Sequence, residues 1–242
     1  MTPIQQLMLG TGSKKKVFLD DVFSTYVYEG NGTSGSSQSI NNGINLSESG
    51  GLVWFKPRES NDEHELIDTV RGKTKRLRSD TNEAQATISA SGQDLTSFNN
   101  NGFSLGEAGS SKVNWPNEDL VSWTFRKSPG FFDVVTYTGN GSARTIAHSL
   151  GSIPGCIMVK CTTDARGWAV YHRGMGNGKS MALNGTNAEH DSTTYWNDTD
   201  PTASVFTLGT ANDTNKSGET YVAYVFAGGE STAATARSVD FD

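Results

Sequence analysis

Tyr28-Glu29-Gly30-Asn31-Gly32 returns as Tyr137-Thr138-Gly139-Asn140-Gly141, and that recurrence decides how the chain is read. Working outward, Ile40-Asn41-Asn42-Gly43-Ile44 aligns loosely with Ile146-Ala147-His148-Ser149-Leu150. Gly51-Leu52-Val53-Trp54-Phe55-Lys56 aligns with Gly155-Cys156-Ile157-Met158-Val159-Lys160, and Gly102 to Gly106 with Val205 to Gly209. Val121-Ser122-Trp123-Thr124-Phe125 then matches Val222-Ala223-Tyr224-Val225-Phe226. The landmarks keep their order while the offset falls from 109 at Tyr28/Tyr137 to 101 at Val121/Val222, which small loop deletions in a duplicated unit produce. A repeat of about a hundred residues is a whole domain, not a solenoid unit.

Within each repeat the pattern is that of strands. Val121, Trp123 and Phe125 alternate with Ser122, Thr124 and Arg126, and Val222, Tyr224 and Phe226 alternate with Tyr221, Ala223 and Val225. Period two places one side of such a strand in a core. Leu52 to Phe55 and Cys156 to Val159 are continuous apolar runs of strand length, expected in the middle of a sandwich with both faces covered. Asn31-Gly32 and Asn140-Gly141 are hairpin dipeptides, because Asn and Gly tolerate the positive φ such turns need. Only 34% of residues are hydrophobic, yet 10% are aromatic and 27 Gly stand against 6 Pro. That balance favours many short strands joined by tight turns. The expected fold is all-β: two tandem antiparallel β-sandwiches related by internal duplication, with seven or eight strands in each. Trp54, Trp123, Trp168, Phe103, Phe125, Phe206, Tyr224 and Phe226 are the expected core aromatics.

The expected boundaries are an arm over 1–22, repeat 1 over 23–130, repeat 2 over 131–229 and a linker or the start of a further module over 230–242. The arm has apolar anchors at Ile4, Leu7, Met8 and Leu9 but no domain of its own, so it is a docking segment that orders on another subunit. It lacks the basic start and long apolar stretch of a signal peptide, and no run approaches membrane-spanning length.

Net charge is −6, shared as −2 over residues 1–130 and −4 over 131–242. An acidic chain without charge segregation gives no support to nucleic acid as a partner. The exception is the basic cluster Arg71, Lys73, Lys75, Arg76 and Arg78. It reads either as a solvated strand edge, where cations discourage edge pairing, or as a docking patch for an acidic partner. Cys156 and Cys161, five apart on one strand, point to opposite faces and do not pair.

Few residues assemble into reactive chemistry. A retaining glycosidase needs two acids about 5 Å apart; Glu63 and Glu65 have the spacing, but Gly167 and Ala169 replace them in the second repeat. His64, His148, His172 and His190 lack partners at ligand spacing and read as surface or hairpin residues. Asp198, Asp200, Asn212 and Asp213 offer hard oxygens to calcium or, more simply, form turns. The expectation is no catalytic residue, no metal and no cofactor. Trp115 and Trp196 stand apart from the other tryptophans, lying among Asn, Pro, Asp and Thr. A loop indole stacks on a sugar ring, fills a subunit contact or lies on its own sandwich.

Five stretches carry a resemblance: Asp20 to Gly32, Ile40 to Lys56, Leu120 to Gly141, Ala143 to Lys160 and Tyr221 to Ala227. They resemble structural proteins of tailed phages, especially marine ones. The resemblance implies a virion-surface or tail-fibre component made in the host cytoplasm, built of jelly-roll, concanavalin-like modules in series, with Ser238 to Asp242 similar to the opening of another. It implies other virion proteins as partners and a homo-oligomer, a trimer if the protein is a fibre. A carbohydrate-binding module for host surface glycans is the alternative; a capsid decoration protein and a concanavalin-like glycosidase stand behind it.

Overall fold

The computed structural model describes residues 17–88 and 91–229, so Ile4, Leu7, Met8, Leu9 and the segment after Gly229 lie outside it. Among the described residues strand makes up 42% and helix 7%, which is the all-β class the alternation predicts. The first half carries β1 (Phe23–Glu29), β2 (Gln38–Asn41), β3 (Gly51–Pro57), β4 (Glu65–Asp68), β5 (Lys75–Arg78), β6 (Ala86–Thr87), β7 (Leu95–Asn99), β8 (Gly102–Leu105) and β9 (Asp119–Arg126). The second carries β10 (Phe132–Thr138), β11 (Arg144–Ala147), β12 (Pro154–Cys161), β13 (Ala169–His172), β14 (Lys179–Ser180), β15 (His190–Asp191), β16 (Val205–Leu208) and β17 (Thr220–Ala227). The helices among the described residues are a 3-10 turn over Leu19–Asp21 and single α-turns over Leu46–Ser49, Thr193–Trp196 and Asn212–Asn215.

Every pair of neighbouring strands is antiparallel, and the large sheets run β1-β9-β3-β4-β5-β6 and β10-β17-β12-β13. The order β1-β9-β3-β4 has its counterpart, strand for strand, in β10-β17-β12-β13; the pair β2-β8 has its own in β11-β16. Register agrees as well. Val53 lies opposite Thr124 and Trp54 opposite Trp123, just as Ile157 lies opposite Val225 and Met158 opposite Tyr224. Ile40 faces Phe103 as Ile146 faces Phe206.

Three apolar clusters hold these sheets. One belongs to the first half, with Tyr28, Ile40, Val53, Phe55, Ile67, Phe103 and Leu120 between its large sheet and the small sheet β2-β8-β7. A second belongs to the second half, with Ile146, Ile157, Val159, Trp196, Phe206, Tyr221 and Val225. The third draws on both: Leu52, Leu66 and Leu77 pack with Phe132, Val134, Met158, Trp168, Val222 and Tyr224. The two large sheets therefore lie face to face, each with a small sheet on its far side. This explains the continuous apolar runs, since Val53 and Phe55 serve one cluster while Leu52 and the half-buried Trp54 serve another.

It also corrects the expected facing of β9. Trp123 and Phe125 are only half-buried, with Phe125 on the face turned to the second half, whereas Ser122 and Thr124 are fully buried beside the first half's own core. Their hydroxyls meet partners there: Asn42 donates to Thr124 Oγ1 at 2.8 Å, and Ser122 reaches the Tyr26 carbonyl. A hydroxyl so satisfied is tolerated inside. In β17 the expected inner face, Val222 and Tyr224, is again the one that meets the other half, while Tyr221, Ala223 and Val225 fill the second half's own core.

Candidate functional site

The repeated Tyr-x-Gly-Asn-Gly stretch is a docking corner. In the first half the Tyr28 hydroxyl donates to the Val113 carbonyl at 2.6 Å, and Asn31 and Gly32 donate their backbone N–H groups to Asn114 Oδ1 and O. Asn114 is fully buried, and its amide donates to Asn31 Oδ1 and to the Gly106 carbonyl at 2.6 Å. In the second half Tyr137 donates to Thr214 O at 2.7 Å, and Asn140 and Gly141 donate to Asn215 Oδ1 and O. Asn215 is likewise fully buried and donates to Gly209 O at 2.8 Å. Chain approach is so close that a Cβ on Gly30 would stand 2.0 Å from Trp115 O, and one on Gly139 2.2 Å from Lys216 O.

These corners place equivalent residues at equivalent points, and there the halves part company. Where the second half has Lys216, the first has Trp115, 46% exposed. The Lys112 ammonium sits 5.7 Å from the centroid of its ring, a cation–π contact. Lys112 also binds Asp62, and that hydrogen bond holds the Asp62 carboxyl below its ordinary range. Beside this corner runs an open groove of about 450 Å³ lined by Glu29, Gly30, Asn31, Thr33, Pro116 and Asn117. Trp115 itself does not line this groove but directly precedes Pro116, which does, and its exposed indole offers a flat face for stacking.

Trp196 does not share that position. It ends the single-turn helix Thr193–Trp196, is 2% exposed and meets Tyr171 edge-on at 5.8 Å. Buried in the second half's core, it has no free face for a ligand. The Asp and Thr around it form the turn after the helix, with Asn197 and Asp198 at positive φ.

Within the basic cluster the three arginines are drawn in to carboxylates, while Lys73 stays exposed. β5 lies between β4 and β6, and its arginines turn inward to carboxylates. Glu65 Oε1 accepts from Arg76 at 2.5 Å and from Arg78 at 3.0 Å. Arg71, with its side chain 4% exposed, binds Asp68 at 2.5 Å and reaches the Tyr224 hydroxyl at 2.9 Å. Lys73 and Lys75 donate to Thr96 O and Thr87 Oγ1. Burial of Glu65 pushes its carboxyl up to about 7 against the pull of the two guanidinium groups.

Glu63, with its side chain 38% exposed, and the buried Glu65 both bind the Arg78 guanidinium, at 3.4 and 3.0 Å. Asp200 accepts from Asn177 and Asp213 from Tyr195. Among the described residues no group of three or more His, Cys, Asp or Glu is placed to hold a metal ion. His148, expected at the surface, is 8% exposed, with Nε2 3.2 Å from the Thr202 carbonyl. Burial pushes its imidazole below the ordinary range. Cys156 and Cys161 are both free and serve opposite faces of β12, as the odd spacing requires. No described helix is long and apolar enough to cross a membrane.

Asn114 and Asn215 escaped the sequence reading, although each stands seven residues before the first landmark of its final strand, Val121 or Val222. A single Asn in an Asn-rich chain carries no weight until the turn it caps is known.

The geometry defines an all-β protein of paired, face-packed antiparallel sheets. Residues 20–234 match the family described as Domain of unknown function (DUF7483), and the chain belongs to that family. No curated protein matches it.

Proposed function

We propose that this protein is a non-enzymatic structural component of a tailed-phage virion, in which two copies of one concanavalin-like β-sandwich module act together as a spacer and display unit. The observation that carries the reading is the agreement between halves in strand order, register and buried Asn corner, combined with an apolar layer that both halves build. Tandem modules fused in this way form a stiff body whose loops vary without disturbing the core. The resemblance of five stretches to tailed-phage structural proteins supplies the setting, and residues 1–22 are the docking arm of this proposal. Gold-labelled antibody against the folded chain is expected to decorate purified particles at a defined position. Unlabelled particles, with density unchanged when the gene is removed, would overturn the reading.

A second reading is favoured by Trp115 alone: a site for host surface glycan at the first half's corner, where the second half carries Lys216 instead. A sugar ring stacks on the indole while Asn31, Thr33 and Asn117 orient its hydroxyls. Binding on a glycan array is expected to fall at least tenfold in Trp115→Ala with the melting temperature unchanged. An array with no hit for the wild-type chain removes this reading and leaves the first intact.

A further inference from the structure

We propose that β1 is a self-association edge: in solution it pairs antiparallel with β1 of a second copy, making a two-fold dimer whose large sheets run together. This inference rests on strand geometry and stands apart from the virion reading.

β1 is the outer strand of the six-stranded sheet, and no described strand pairs with its other side. The Val22 carbonyl accepts from Arg126, and Ser122 reaches the Tyr26 carbonyl, so even-numbered backbone groups face β9. In an antiparallel strand the alternate residues face the other way. The N–H and C=O groups of Phe23, Thr25 and Val27 therefore point outward, in a strand that pairs with β9 over seven residues without a register shift.

The second half holds an internal control. β10 is the equivalent edge, and there the Phe131 carbonyl accepts from Ala227, as Val22 does from Arg126. Its first outward groups are occupied, as is the Thr138 carbonyl at its far end, which accepts from Arg144. Phe132 exchanges both backbone hydrogen bonds with Ser128, and the Val134 N–H donates to the Asp133 carboxylate at 2.9 Å. On β1, among the described residues, only the far end is closed in this way, where Gln38 donates to the Glu29 carbonyl at 3.1 Å.

Proteins that keep sheet edges apart do so with Lys, Pro, bulges or cover. β1 reads Phe-Ser-Thr-Tyr-Val-Tyr-Glu, with no Lys, Pro or bulge between Phe23 and Tyr28, and no described strand covers its outer side. Val27 is 52% and Tyr26 37% exposed. The occupant this edge fits is another copy of itself. An uncharged strip is where two chains of net charge −6 approach with least repulsion. Antiparallel pairing centred on Tyr26 sets Thr25 against Val27 of the second copy, Tyr26 against Tyr26, and Glu29 against the apolar Phe23. Parallel pairing in register would set Glu29 against Glu29. The favoured arrangement exchanges about four backbone hydrogen bonds and joins β-branched and aromatic cross-strand pairs. Such a contact is smaller than a standard interface, so it is concentration-dependent. Because the same surface serves both partners, it closes at two copies, not at the three of a fibre.

Sedimentation equilibrium of the full 242-residue chain over a hundredfold concentration range tests this. The wild type is expected to move toward twice its 26.0 kDa mass. Thr25→Pro, which removes an outward N–H without touching the β9 ladder, and Val27→Lys are each expected to weaken the dimer at least tenfold. Thr136→Lys, at the equivalent place on β10, is expected to leave it intact. Near-ultraviolet circular dichroism checks that the variants are folded. If either strand variant unfolds, amide exchange in the wild type decides: Thr25 and Val27 are expected to gain protection as concentration rises. A wild type that stays monomeric, a trimer, variants that dimerise as well as the wild type, or amides indifferent to concentration would each overturn the proposal.

Discussion

At the scale of single residues, the strongest constraint is a pair of side chains with no reactive role. Asn114 and Asn215 each close a corner by presenting one carbonyl oxygen and one amide to backbone that nothing else satisfies. Truncating either leaves buried N–H and C=O groups without partners, and each such group costs about 1–3 kcal/mol. Asn114→Ala and Asn215→Ala are therefore each expected to lower the unfolding free energy by about 2–4 kcal/mol. Urea denaturation measures this, and Trp115→Ala at the next position is expected to change it by less than about 1 kcal/mol. The turn itself was legible from Tyr-x-Gly-Asn-Gly, because Gly and Asn announce unusual backbone. The residue that holds the turn was not, since an Asn has the same letter whether it caps a corner or lies in solvent.

Among the elements, β4 and β5 show how far local pattern carries. Lys75 to Arg78 reads as a charged edge only if its neighbours are ignored. Once β4 lies alongside, Arg76 and Arg78 share one face with Glu65, and three charges leave the surface together. The sequence holds no trace of that pairing, because the contact depends on a register that only the completed sheet sets. A titration reports it. The folded chain holds the Glu65 proton up to about pH 7, above the ordinary carboxylate range. Between about pH 4.5 and 7 the native state thus binds more protons at this site than the unfolded state. Stability from this group is full below that window and is lost as pH rises through it. Denaturant unfolding of wild type and Glu65→Gln at pH 5 and pH 8 isolates the term: the stability of the wild type relative to the variant is expected to fall toward pH 8. A difference that stays level would show that the two guanidinium groups keep the carboxylate ionised throughout.

For the whole molecule, what matters is that the halves are not beads on a string. Alternation in β9 and β17 was plain in the sequence, and so was the strand class, but the apolar face of β9 is only half-covered and β17 is buried on both faces. Period two reports that a side is covered without naming what covers it. The covering layer also contains polar chemistry. The Tyr224 hydroxyl donates to Asp68 at 2.8 Å, Arg71 completes the group, and Trp168 Nε1 donates to the Arg78 carbonyl at 2.8 Å across the boundary. Two bodies joined by an apolar layer and a buried ionic group melt as one. Calorimetry is expected to show a single transition whose van't Hoff and calorimetric enthalpies agree. Tyr224→Phe, which strips a hydrogen bond from a buried charge, is expected to cost about 1–3 kcal/mol. Two separate transitions would contradict the fused body.

The placement of β17 has a mechanical consequence. It is flanked along its length by β10 on one side and β12 on the other, so tension applied to the backbone at Ala227 along the strand axis loads both ladders in shear. Their hydrogen bonds resist as a set and must yield together. β1, held along one edge only, unzips one bond at a time when drawn sideways. The same kind of hydrogen bond thus resists or yields according to whether the pull runs along a doubly flanked strand or across a singly flanked one.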